Sequence, residues 1–149
     1  MRNLILCAAV ALLSGCISVA PEEKDATVRR GNAPASVVDL RAATETLTVY
    51  DATPAGAEVL ADVSAIRCHA NLYEPKPTEE TVRSDLLINA FGKGANGISD
   101  IKIVRQPGNL GYNCYFRYFG TAKALKVTAD SVRAGARLRD DEAGQWVRG

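Results

Sequence analysis

Hydrophobic residues fall into three regimes along this chain. Ten apolar residues run without interruption from Leu4 to Leu13, and residues 17–44 then show little periodicity. From about Thr46 the pattern becomes regular. Residues 47–50 read as a strand, and Thr53-Pro54-Ala55-Gly56 as a turn. Residues 58–69 form a long strand candidate carrying Val59, Val63, Ile66 and Cys68. A loop with Pro75 and Pro77 leads to the clearest helix, with Thr78 as N-cap and Glu79 and Glu80 in its first turn. Val82, Leu86, Leu87, Ala90 and Phe91 recur on one face of that helix, and Gly92 or Gly94 ends it. Residues 99–105 read as a strand with Ile101 and Ile103 on one side, followed by a Gln106-Pro107-Gly108-Asn109 turn. Residues 111–127 form the last strand or strand pair, with Gly120 as a bulge or bend. The predicted fold is α+β: a small, mostly antiparallel sheet of four or five strands with one packed helix.

The segment 17–44 is punctuated by Pro21, Gly31, Asn32 and Pro34 and carries clustered charges at 22–25 and 29–30. It reads as a flexible tether, with a short helical turn near 37–43. The organisation expected is a signal peptide over 1–15, a lipidated N-terminus and tether over 16–45, a folded domain over 46–130 and a polar tail over 131–149.

The apolar run is too short to cross a bilayer. Ten residues span about 15 Å as a helix, half of the ~30 Å hydrocarbon core. Arg2 precedes it and Leu13-Ser14-Gly15-Cys16 ends it, which resembles the lipobox of bacterial lipoproteins. That resemblance implies cleavage before Cys16 and acylation of Cys16, anchoring the chain in a membrane. Ile17 stands where inner-membrane lipoproteins carry aspartate, so the resemblance implies the outer membrane, with the domain facing the periplasm. Removing fifteen residues from 149 leaves 134, with 17 basic against 17 acidic side chains. This balance supplies no basic field for nucleic acid.

The lipobox also simplifies the cysteines. Cys7 leaves with the signal peptide and Cys16 carries lipid, so Cys68 and Cys114 form the single pairing open in an oxidising compartment. A bridge closing that loop stabilises by about 4 kcal/mol in the chain-entropy picture.

Other motifs point away from catalysis. Gly92-Lys93-Gly94-Ala95-Asn96-Gly97 matches G-x-G-x-x-G, but it follows a helix and precedes a strand, the reverse of a phosphate-binding loop. It reads as a helix C-cap. Cys68 and His69 are strand neighbours that point to opposite faces, and His69 is the only histidine, so neither a Cys–His nucleophile nor a zinc site is expected. His69 reads as an ordinary solvated strand residue. No cofactor, metal or enzymatic activity is predicted. Five of the nine aromatic residues lie within 112–119. Alternation puts Tyr112, Cys114, Phe116 and Tyr118 on one face and Tyr115, Arg117 and Phe119 on the other. A single helix covers one face of a sheet, so the second is either covered by the tether or tail or exposed as a binding surface, and Tyr115, Arg117 and Phe119 are its candidate partner residues.

From Val59 to Lys126 the chain resembles the outer-membrane lipoprotein that senses envelope stress for the Rcs phosphorelay (the RcsF family). The likeness rests on the strand ending in Cys68, the helix ending in Phe91-Gly92-Lys93-Gly94-Ala95-Asn96-Gly97 and the strand 101–104. It continues through Tyr112-Asn113-Cys114 to Gly120-Thr121-Ala122. It implies an α+β domain cross-linked by disulfides, acting in stress signalling through contacts with an outer-membrane barrel or an inner-membrane regulator. The chain departs from that family in having no cysteines for a second disulfide and only two prolines in the tether. The alternatives are a small ligand- or metal-binding lipoprotein domain, and a structural envelope lipoprotein.

Overall fold

A computed structural model describes residues 26, 28–33, 35–108 and 113–130. Its elements are β1 (Val28–Arg30), α1 (Val37–Thr46), β2 (Thr48–Val49), β3 (Glu58–His69), α2 (Glu79–Gly92), β4 (Gly97–Pro107) and β5 (Phe116–Lys126). The expected signal peptide, the lipidated cysteine and the tail over 131–149 lie outside the described residues.

Helix α2 forms where its cap and periodicity place it. The Thr78 hydroxyl accepts from the Thr81 amide at 3.3 Å, and Glu79 and Glu80 face the positive helix start. Val82, Leu86 and Ala90 repeat every fourth residue and are fully buried. The helix stops at Gly94, whose φ of +76° suits glycine and lets its amide donate to the Phe91 carbonyl at 2.8 Å. The glycine-rich loop is thus a C-cap. Its Asn96 then clamps the end of β5, donating to the Val127 carbonyl at 2.8 Å and accepting from the Val127 amide at 2.7 Å.

The sheet has five strands in the order β1-β3-β5-β4-β2. Its centre is antiparallel, β5 lying between β3 and β4. The short edge strands β1 and β2 run parallel to β3 and β4, so the sheet is mixed rather than purely antiparallel. Val63 and Ala65 of β3 and Ala122 and Ala124 of β5 face α2 and join Val82, Leu86, Ala90 and Ile98 in the core. Small side chains on the sheet let the helix come close. Gly120 is the extreme case. A Cβ there would lie 2.6 Å from Val82 and 3.1 Å from Leu86. Gly120 pairs regularly with Ala65 and Ile103, and the register shifts fall at Val59/Ala61 and Ser99/Lys102. The expected bulge at Gly120 is therefore a site of close helix approach instead.

The folded unit begins earlier than the sequence pattern suggests. The stretch from 28 to 45, expected as tether with a short helical turn near 37–43, supplies β1 and nearly all of the ten-residue helix α1, with Ser36 as N-cap. Leu47 and Ala43 are buried in the core, and α1 packs on α2. The physical reason lies in a buried arginine. Arg67 of β3, 1 % exposed, donates through Nε and Nη2 to the two carboxylate oxygens of Asp85 on α2, at 2.5 and 2.8 Å. Its Nη1 reaches back to the Ala33 carbonyl at 2.8 Å and the Gly31 carbonyl at 3.4 Å. The Gly31 amide donates to the Cys68 carbonyl at 3.2 Å, and the Thr81 hydroxyl bonds the Asn32 side chain. Residues 31–33 are held by β3 and α2 together, and this fixes β1 against β3.

Replacing Gly120 by alanine inserts a methyl group where no space exists, and overpacking of this kind costs about 1–3 kcal/mol. Urea unfolding of Gly120→Ala is expected to give a lower midpoint at an unchanged slope. A wild-type midpoint would show that α2 is not seated as described.

Candidate functional site

Of the predicted site residues, Cys68, Cys114, Tyr115 and Arg117 lie at the end of the sheet where β3 finishes and β5 begins. Cys68, fully buried, is bonded to Cys114 with a Cα–Cα separation of 5.5 Å. The bridge ties the chain entering β5 to the exit of β3, and the Tyr115 amide reinforces it by donating to the His69 carbonyl at 2.8 Å. With Cys68 in a disulfide, no thiolate stands beside His69 for nucleophilic chemistry.

His69 is 2 % exposed, not solvated as the sequence suggests. It points to the face shared with Arg67 and packs against the rings of Phe116 and Tyr115, at centroid distances of 5.0 and 5.8 Å. Phe116 in turn carries the Arg105 guanidinium over its face at 4.5 Å. The His69 Nδ1 has no hydrogen-bond partner among the described residues. Alternation reveals which face a strand residue occupies, but not that rings from a distant segment close over it.

The candidate partner surface divides. Tyr115 is 59 % exposed, whereas Arg117 is 8 % exposed and Phe119 is half-buried. Arg117 sits opposite Cys68 and Gln106, and Phe119 opposite Ile66 and Val104. Ile66 and Cys68 on that second face are fully buried too, so the face is not an open aromatic platform there. Tyr115 lies just outside β5 and its ring stands beside His69, so it does not share a face with Arg117 and Phe119 as expected. Tyr112 lies outside the described residues. What the sequence reading missed at this end is the loop after β3, where Leu72 is 74 % and Tyr73 95 % exposed. The available signal was two large amphipathic or apolar residues inside a proline-bounded loop.

A second polar cluster sits at the register shift of β4. Asp100 has a left-handed φ of +53°, uncommon for a residue other than glycine and tolerated best by Asn and Asp. Its carboxylate accepts from the Thr53 hydroxyl at 2.8 Å and the Ser99 hydroxyl at 3.0 Å, and pairs with Lys123 at 3.4 Å. Those hydroxyl bonds, Thr53 first, together with Lys123, hold Asp100 below the ordinary carboxylate range. A groove of about 140 Å³ beside it is lined by Asp62, Asp100, Lys102, Thr121, Ala122 and Lys123. Ligand pockets span roughly 300–1,000 Å³ and are largely apolar. This groove is smaller and lined mostly by polar and charged side chains, with Asp100 paired to Lys123, which suits a loop staple better than a ligand site. Among the described residues no cluster of three or more His, Cys, Asp or Glu side chains could hold a metal ion, and no helix is long and apolar enough to cross a membrane.

Comparison with protein-family models and with curated proteins finds no match for this chain.

Because the folded state lowers its pKa, Asp100 stabilises the fold fully above the unfolded value of about 3.8. That contribution is lost as pH falls below 3.8 through the lower folded value. Asp100→Asn keeps a residue suited to the left-handed backbone and removes the charge. Thermal melts from about pH 5 to about pH 2 are expected to show a shallower acid loss for the variant than for the wild type. Parallel acid limbs would mean that Asp100 does not titrate in this way.

Proposed function

We propose that this chain is a lipid-anchored outer-membrane protein whose domain faces the periplasm and acts through protein contacts, of the envelope-stress-sensor type. The observation that carries the reading is the Cys68–Cys114 bridge, closed across separated strands. Such bridges persist in oxidising compartments. It agrees with the Leu13-Ser14-Gly15-Cys16 motif and with the cysteine and glycine pattern on which the resemblance to the Rcs sensor lipoproteins rests.

Of the partner surface expected at Tyr115, Arg117 and Phe119, only Tyr115 is open. A free sheet edge offers a better protein contact. β2 covers only Gly97 and Ile98 of β4, so residues 102–107 have no outer neighbour among the described strands. Val104 on that stretch is 49 % exposed. An extended partner segment adds to such an edge through main-chain hydrogen bonds. The other open edge, residues 58–65 of β3, is blunted by the bulge at Val59/Ala61, by Asp62 and by Asn89, whose side chain caps the Ser64 carbonyl at 2.9 Å.

Intact mass of the protein isolated from envelopes is expected to show loss of residues 1–15, acyl groups on Cys16 and no free thiol at Cys68 or Cys114. A photocrosslinker replacing Val104 is expected to capture an outer-membrane barrel component or an inner-membrane regulator. One placed at Asp62 is expected to capture neither. An unacylated N-terminus or free thiols would sink the proposal. A crosslink that forms equally from both positions would remove β4 as the contact edge.

A further inference from the structure

We propose that the free edge of β4 takes up an extended peptide segment of the pattern acidic-apolar-apolar-acidic. This names the chemistry of the partner at the contact edge and rests on that reading. β2 pairs only with Gly97 and Ile98. The chain after it is pinned at the register shift, where the Thr53 hydroxyl donates to Asp100 at 2.8 Å. No described strand therefore continues along residues 102–107.

The backbone of that stretch is set to pair. Alternate residues of a strand turn their N–H and C=O groups toward the same neighbour. Asn96 and Ile98 turn theirs outward, accepting from the amides of Thr48 at 3.0 Å and Tyr50 at 2.8 Å. From Ser99 to Lys102 β4 advances by one residue more than β5 does from Lys123 to Thr121. That extra residue passes the outward role to Ile103 and Arg105. Their N–H and C=O groups are the ones an added strand would use. Pro107 has no N–H and closes the edge.

Side chains select the segment. On the face away from α2, Val28, Ile66, Phe119 and Val104 stand opposite one another in turn across β1, β3, β5 and β4. Val104 ends this apolar row and is 49 % exposed. Ile103 lies opposite Gly120 on the α2 face and packs against the core. An incoming strand thus meets two apolar neighbours in succession, flanked by the exposed Lys102 and Arg105. The strand stretches 64–69, 102–107 and 116–121 contain no carboxylate. Arg67 is met by Asp85, and Asp100, before the shift, is paired with Lys123 at 3.4 Å. An acidic residue at each end of the incoming tetrad complements Lys102 and Arg105. A second copy of the same edge would bring only further cations. The pattern reads alike in both directions, so it fits a parallel or an antiparallel partner.

The test uses the full acylated chain, isotope-labelled in detergent micelles, and capped hexapeptides. Thr-Glu-Val-Val-Glu-Thr is expected to shift the amide signals of Ile103 and Arg105, and to bind more weakly as salt rises. Thr-Lys-Val-Val-Lys-Thr is expected to bind about tenfold or more weakly, since one cross-strand charge pair is worth up to about fivefold. Lys102→Glu with Arg105→Glu, both at exposed positions, is expected to reverse that preference. Peptides that leave Ile103 and Arg105 unmoved, or a lysine peptide that binds as tightly, overturn the proposal. In envelopes, the segment joined to the photocrosslinker at Val104 is sequenced by mass. A partner segment with acids flanking two apolar residues supports the pattern. A segment without them, or a second copy of this chain, overturns it and leaves the anchor reading intact. An unacylated Cys16 overturns the anchor reading, and the peptide shifts still decide the edge.

Discussion

The Arg67–Asp85 pair is the interaction on which the arrangement depends. Both side chains are buried, Arg67 to 1 % and Asp85 to 2 % exposure. Either charge alone in that position would cost several kcal/mol of lost hydration. Bidentate geometry returns much of that cost, and the remaining Nη1 donor is used on the backbone of residues 31–33. A hydrophobic pair of equal volume could pack as stably. It could not hold three separate segments, because only a planar, multivalent donor reaches β3, α2 and the chain after β1 together.

From that knot the rest of the functional end follows. With residues 31–33 held, β1 lies parallel to β3 beside Cys68, and the chain leads on into α1. The disulfide then ties β5 to β3 one residue farther along, and Tyr115 and Phe116 close over His69. What remains exposed there is the set Leu72, Tyr73 and Tyr115. The polar interior at this end and the apolar rim outside it are two consequences of one arrangement.

Much of this was legible in the sequence, and the gaps have physical causes. Helix α2 and strand β3 were readable because cap chemistry and periodicity agreed over a dozen residues. The glycine-rich loop was readable as a cap because phosphate binding demands the opposite order of strand and helix. Strand β1 was not, since three residues carry no periodicity and owe their pairing to Arg67 at a separation of 36 from Gly31. Arg67 carries no signal of its role in the sequence, because a sequence does not reveal that Asp85, eighteen residues on, turns toward it. The alternation over 112–119 correctly separated the faces of Arg117 and Tyr118. It could not tell that Arg117 would be covered, nor that Tyr115 would leave the strand. Asp100 escaped notice because a bulge depends on mismatched pairing between two strands.

The most direct test replaces Asp85 with alanine and follows amide exchange at Gly31 together with urea unfolding. The variant strands the Arg67 charge in the interior, and breaking such a pair costs about 3–5 kcal/mol. The account predicts a loss of that size, and a Gly31 amide that exchanges faster than the amides of β5 lose protection. Restoring the volume without the charges, through Arg67→Met with Asp85→Leu, is predicted to recover global stability but not Gly31 protection. An Asp85→Ala protein with wild-type stability and a protected Gly31 amide would contradict the account.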